Sequence, residues 1–286
     1  MSFSECLDIV DARPLRQGDV VRSLAARPDP WEDLAIIVTA DCDIARNKHA
    51  GRLTCVPVLP AHAYLSTYYL PHRIGKLQRA LADRLVPSVR KAQSTHFDGF
   101  REPISFERAQ GWILDTSPSH VSSTLRMTPE ETQRFIPLAE AFARLETMRS
   151  GSFPEQIRTI CGSEVVLDRS PDEGSARKKI RAELANHVNE LPGDALFLRS
   201  LGSTLTEGYV AYLRILLEVR DSRVAVKSTQ RSFEIRYERI ARLQAPYVYA
   251  LTQKLASVFS TIGLPREYEE SRSECGNALI PIDEGH

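Results

Sequence analysis

The chain lacks a long apolar run: its best stretches, residues 34–38 and 215–217, fall far short of the roughly 20 residues that a membrane-spanning helix needs. A basic start followed by an apolar core is also missing from the first eleven residues, where Glu5, Asp8 and Asp11 stand instead, so no export signal is read there. Cysteine is sparse: Cys6, Cys42, Cys55, Cys161 and Cys275 are odd in number and contain no C-x-x-C, which suits free thiols in a reducing cytoplasm rather than a disulfide framework. Net charge is absent, because 37 basic and 37 acidic side chains cancel. No global field therefore draws the chain to nucleic acid or an anionic membrane, and any basic face must be local. The phosphate loop G-x-x-x-x-G-K-[ST], the dinucleotide turn G-x-G-x-x-G, the elbow G-x-S-x-G and the metalloprotease pair H-E-x-x-H are all missing. Nucleotide hydrolysis and hydride transfer lose their usual support, and no cofactor is expected.

What is present is an ordinary globular composition, 42% hydrophobic and 26% charged over 286 residues. That length accommodates one large domain or two small ones. In a first block, Gly18-Asp19-Val20-Val21 reads as a turn entering a strand, and the β-branched runs 34–39 and 53–59 read as two more. Loops this short exclude crossover helices and favour an antiparallel sheet or small barrel, to which Trp112-Ile113-Leu114 adds a later strand. The middle is helical. Leu77, Leu81, Leu85 and Val89 recur at helical spacing with Pro87 as an interruption, and Thr128-Pro129-Glu130-Glu131 has the form of a capping box. Residues 170–175 are the clearest linker, and a charged helix follows over about 176–190. The third block resembles the first in pattern, with Gly193-Asp194 ahead of strands at 209–219, 223–227 and 233–237. A terminal helix over 246–262 carries Tyr247, Leu251, Leu255 and Phe259 on one stripe, and an acidic tail closes the sequence. These readings give an α+β chain of two small SH3-like antiparallel β-barrels connected and buttressed by helices. The expected parts are a barrel with its following helix (1–115), a helical connector (116–190), a barrel-like sheet with the terminal helix (191–265) and the tail (266–286).

The most unusual local feature is Thr39-Ala40-Asp41-Cys42-Asp43, where a buried strand gives way to a loop. A nucleophilic Cys42 needs a nearby cation to stabilise its thiolate, whereas Asp41 and Asp43 act in the opposite direction. The competing reading makes Cys42 a small packed side chain and the two carboxylates acceptors for loop amides. Cys42, His49, Cys55 and His62 are residue types that zinc accepts, but they lack the close pair of a structural site, and Asp41 with Asp43 offers magnesium too few oxygens. No metal is therefore assigned. For binding, Tyr68 and Tyr69 stand in an aromatic and basic cluster with Tyr64, His62, His72 and Arg73. Over residues 199–242, nine basic residues face five acidic ones, and Arg220, Arg223, Lys227, Arg231 and Arg236 are candidates to share a face toward phosphates.

On Gly18-Asp19-Val20-Val21, Ala35-Ile36-Ile37-Val38-Thr39 and Cys55-Val56-Pro57-Val58, residues 18–60 resemble the SH3-like barrel of the MazF/PemK family. The resemblance implies a ribosome-independent endoribonuclease or, as in relatives, a non-catalytic binding barrel. No basic residue directly precedes the Ala35 strand, and Pro57-Val58-Leu59-Pro60 lacks the expected threonine, so the barrel transfers and the ribonuclease chemistry does not. The run from Arg242-Leu243-Gln244-Ala245-Pro246-Tyr247 to Ile262-Gly263-Leu264-Pro265 resembles uncharacterised bacterial proteins found beside stress or phage-defence genes. The expectation is a non-enzymatic binding or regulatory subunit of a bacterial cytoplasmic complex with a protein partner and no membrane partner. The alternatives are a hydrolase using Asp41, Cys42 and Asp43, and a nucleic-acid-binding module working through the local basic patch.

Overall fold

A computed structural model describes residues 4–9, 13–96, 102–226, 230, 232–260, 268, 270, 271 and 275. In chain order its strands and α-helices begin with β1 (Cys6–Asp8), β2 (Asp19–Ser23), α1 (Pro30–Asp33), β3 (Leu34–Ile37), α2 (Asp41–Ala45) and β4 (Arg52–Pro60). There follow α3 (Ala61–Tyr64), α4 (Leu70–His96), α5 (Phe106–Asp115), α6 (Pro118–Thr124), α7 (Pro129–Thr147), α8 (Phe153–Val166) and α9 (Glu173–Asn189). The last stretch supplies β5 (Ala195–Leu198), β6 (Tyr209–Tyr212), β7 (Leu217–Arg220), β8 (Val224–Ala225), β9 (Tyr237–Leu243) and α10 (Ala245–Ser260). Two units result: Met1–Val58 with Leu191–His286 form the sheet unit, and Leu59–Glu190 the helical unit. No helix among the described residues is long and apolar enough to cross a membrane.

In the sheet unit, strands of the first and third blocks join one curled, mainly antiparallel sheet in the order β1-β9-β2-β3-β4-β6-β5. The sequence suggests two separate barrels; β9 instead seats between β1 and β2, and β6 lies beside β4, so the two blocks share one ladder. Both faces of the sheet are covered. Val20, Ile36, Val56, Tyr209 and Leu243 pack with Leu251 of α10 on one side, and Val21, Ile37, Leu53 and Val219 pack on the other. Double coverage explains why β3 reads Leu-Ala-Ile-Ile without polar alternation. Gly18, at φ +87°, leaves no room for a side chain: a Cβ there would stand 2.5 Å from Val248. Of the stripe on α10, Leu251 is fully buried, while Tyr247 and Leu255 are partly buried and Phe259 is exposed. Ile262 and the run 263–267 lie outside the described residues, as does most of the tail.

Strand boundaries in the third block also differ from the sequence reading. The run 209–219 is two strands, β6 and β7; β8 is only Val224–Ala225; and residues 233–234 form a turn, with β9 beginning at Tyr237. Lys227 lies outside the described residues.

The helical unit has its own core, built on Leu70, Ile74, Leu77, Leu81, Leu85 and Val89 along α4. Pro87 lies inside α4 without ending it, as Pro137 does in α7. At the start of α7, Thr128 Oγ1 accepts the Glu131 amide at 3.2 Å and Glu131 Oε2 accepts the Thr128 amide at 3.0 Å, the reciprocal pair the sequence implies. Trp112-Ile113-Leu114 is helix rather than strand. Ser105 caps α5, and Ala109 and Ile113, four residues apart, bury one face of it. Helices α4 and α5 thus belong with the helical connector, and this unit begins near residue 59 rather than 116.

Candidate functional site

Asp41, Cys42 and Asp43 open α2, a single short helical turn rather than a loop. Asp41 Oδ1 accepts the Gln17 amide at 2.7 Å, and Gln17 Nε2 donates to the Val38 carbonyl at 3.1 Å. The carboxylate therefore ties the end of β3 to the turn that enters β2. The Asp43 carbonyl faces His49 Nδ1 at 3.3 Å, and His49 Nε2 faces Asp221 Oδ2 at 3.1 Å, while the Asp221 amide donates to the Gly51 carbonyl at 3.1 Å. His49 is nearly enclosed, so this chain of bonds pins the 46–51 loop to the 221–223 turn.

Cys42 is exposed, and among the described residues the one hydrogen-bond partner of its thiol is Asp43 Oδ1 at 3.7 Å. A nucleophilic cysteine needs a cation or a base within reach, and the neighbour here is an anion that holds the thiol proton. The four residues weighed as zinc ligands have separate engagements. Cys55 is buried in β4 with its thiol pushed up to about 12 by burial, His49 is held as above, and His62 packs its ring 6.2 Å from Phe153 within the helical unit. Among the described residues, no group of three or more His, Cys, Asp or Glu is arranged to hold a metal.

A measurable consequence is that a thiol reagent at pH 8 titrates Cys42 and Cys275 in the native protein, both being exposed. Cys6, whose thiol burial also pushes up to about 12, and Cys55 are expected to react only on unfolding. Loss of the fast phase in a Cys42→Ser, Cys275→Ser variant checks this, and fast labelling of Cys6 there would contradict the packing described.

The basic block separates into two kinds of arginine. Arg214 pairs with Asp194, and Arg239 and Arg242 converge on Asp19. Arg220, Arg223 and Arg236 are exposed and make no ion pair or side-chain hydrogen bond among the described residues. Their backbones are neighbours: the Arg236 amide donates to the Arg223 carbonyl at 2.9 Å, and Arg220 ends β7 just before the 221–223 turn. Arg52 stands opposite Arg220 in the β4–β7 register and is bonded to Glu218 at 3.0 Å. Phe233, 88% exposed, lies in the turn that leads to Arg236. Lys227 and Arg231, assigned from sequence to the same surface, lie outside the described residues.

Tyr68 and Tyr69 sit in a π-helical turn, Leu65–Tyr69, a distortion often found at functional positions. The Tyr68 ring lies 5.1 Å from Tyr64, and sequence reasoning missed His187 of α9, whose ring is 4.5 Å from Tyr69 and 6.4 Å from Tyr64. Burial pushes the Tyr69 phenol up, with Glu183 adding to the effect, and burial pushes His187 down. Arg73, grouped with these rings from sequence, instead bonds Glu164 at 2.6 Å and Glu183 at 3.0 Å. Tyr69 is thus packed within the unit, and Tyr68 at 36% exposure is the more accessible ring. Comparison with protein-family models, curated proteins and solved structures gives no match.

Proposed function

We propose that the chain is a non-enzymatic binding or regulatory subunit of a bacterial cytoplasmic complex, and that it meets an acidic protein partner through Arg220, Arg223 and Arg236. In this reading the curled sheet is an SH3-like platform without ribonuclease chemistry, in keeping with the resemblance of residues 18–60 to the MazF/PemK barrel. One observation carries it: among the described residues, three neighbouring arginines stand exposed without a carboxylate partner, in a block whose Arg214, Arg239 and Arg242 are each engaged by one. Guanidinium groups that keep all their donors free are suited to bidentate recognition of carboxylates on another molecule. The neighbouring Phe233 adds the exposed apolar area that binding surfaces use beside arginine. The competing hydrolase reading has nothing comparable, because among the described residues the hydrogen-bond partner of the Cys42 thiol is the Asp43 carboxylate.

The test compares the tagged full chain with an Arg220→Glu, Arg223→Glu, Arg236→Glu variant, both expressed in the native host, cross-linked and weighed. The expected result is one stoichiometric protein with the wild type, bound about 100-fold more weakly by the variant at unchanged melting temperature, since each interface arginine is worth about 1 kcal/mol. A partner retained by the variant, or a wild-type chain recovered alone, would overturn the reading. Retention on mixed-sequence RNA or DNA that falls steeply with salt and vanishes in the variant would replace it with the nucleic-acid reading.

A further inference from the structure

A cavity of about 480 Å³ opens in the helical unit between α4, α5 and the end of α6. Its volume is within the range of small-molecule sites. Val89 and Leu125, both buried in the unit's core, supply apolar lining, and Trp112, half-buried, contributes an aromatic wall. Several polar groups on the lining are donors that have no acceptor among the described residues. Gln93 Oε1 accepts the Ile104 amide at 3.0 Å, and the NH₂ of the Gln93 side chain has no acceptor among the described residues. Neither the Trp112 indole N–H nor the Arg108 guanidinium has a partner among the described residues. Against these donors the lining presents one carboxylate, Glu102. The first turn of α5, which carries Arg108, faces the same space and adds the positive end of a helix dipole.

From this juxtaposition of an apolar floor, an aromatic wall and unengaged donors, we infer that the cavity binds a small apolar carboxylic acid. Its hydrocarbon body lies against Val89, Leu125 and Trp112, and its carboxylate meets Arg108. A neutral amide of the same shape offers one acceptor oxygen but leaves the charge of Arg108 unmatched, and a cation meets Arg108 with repulsion.

The chain has two tryptophans, so a Trp31→Phe variant makes Trp112 the sole indole reporter. Trp31 belongs to the sheet unit, where its ring lies 5.7 Å from Tyr212. The probes are 2-naphthoate, decanoate and 2-naphthamide, added to this full-length variant while Trp112 fluorescence is followed. The expected result is a saturable change with 2-naphthoate at a Kd below about 1 mM. The amide is expected to bind about 10-fold more weakly, and Arg108→Gln to weaken the acid by a similar factor with its circular dichroism unchanged. A stronger response to decanoate identifies an acyl chain as the hydrocarbon body, and a stronger response to 2-naphthoate a flat ring. Equal affinity for acid and amide, no effect of Arg108→Gln, or a Kd above about 1 mM for both acids would each overturn the assignment.

Discussion

Replacing Asp19 by alanine is expected to remove about 3–5 kcal/mol of stability, the loss typical when one partner of a buried ion pair is deleted. Asp19 is fully buried on β2 and is met by four donors: the Arg16 amide at 2.9 Å, Arg242 Nε at 2.5 Å and Nη2 at 3.0 Å, and Arg239 Nη1 at 3.3 Å. The Arg239 side chain is 1% exposed, and a guanidinium cannot escape by losing its proton. The bond to Asp19 raises the Arg242 pKa further, against the opposing effect of burial. The alanine variant therefore leaves one enclosed and one largely buried positive charge with, among the described residues, the Pro14 and Val226 carbonyls as their remaining side-chain acceptors. Since whole domains are stable by about 5–15 kcal/mol, such a loss unfolds a large share of the molecules near physiological temperature. Asp19→Asn keeps an acceptor and loses the charge, so its loss is expected to be intermediate. Urea denaturation followed by Trp31 fluorescence in a Trp112→Phe background measures both, and a change below about 1 kcal/mol for the alanine variant would show that the cluster does not hold β2 to β9.

The second large effect lies in the helical unit and is legible in its pH dependence. Glu164 of α8 is fully buried and accepts from Arg73 at 2.6 Å and Lys179 at 2.8 Å. Burial alone would raise its pKa, but the bonds from Lys179 and Arg73 outweigh burial and hold the carboxyl below its ordinary 4.5. A carboxylate whose folded pKa is depressed contributes stability that is complete above its unfolded value and is lost as pH falls through the folded one. The wild type is therefore expected to lose melting temperature steeply below pH 4.5, and Glu164→Gln to flatten that limb. At neutral pH, Glu164→Ala is expected to cost about 3 kcal/mol, at the lower end for a buried pair. The loss is held there because Lys179 is part-exposed and Arg73 keeps Glu183. Parallel acid limbs for the wild type and Glu164→Gln would contradict the assignment.

Local signals in the sequence are the ones that carry through. The spacing of Leu77, Leu81, Leu85 and Val89 marks α4, and the capping box at Thr128 marks α7, because each is a relation among residues three to eight apart. Trp112-Ile113-Leu114 is ambiguous by itself, and only the cap at Ser105 decides for helix. The most consequential strand, β9, is hidden by its own content. Tyr-Glu-Arg-Ile-Ala-Arg-Leu looks like a charged surface until Asp19, more than two hundred residues earlier, neutralises Arg239 and Arg242. The candidate site follows the same rule. Asp41, Cys42 and Asp43 stand out as neighbours in sequence, whereas the contact of His49 with Asp221 spans 172 positions and leaves no trace in either neighbourhood. Charge alone likewise gives the basic block as a set, but only tertiary pairing separates the engaged Arg214, Arg239 and Arg242 from Arg220, Arg223 and Arg236, which have no ion-pair partner among the described residues.

The placement of β9 between β1 and β2 bears on synthesis. A ribosome delivers β1 to β4 first, and through the whole of residues 59–190 these strands wait with a polar edge and a buried acid, Asp19, that have no counterpart yet. The helical unit, contiguous in sequence, has every partner it needs once Glu190 has emerged, and can close while the sheet is still open. Completion of the sheet then falls to residues 237–243, so a nascent chain halted before them exposes an unpaired strand edge, the kind of surface that molecular chaperones shield.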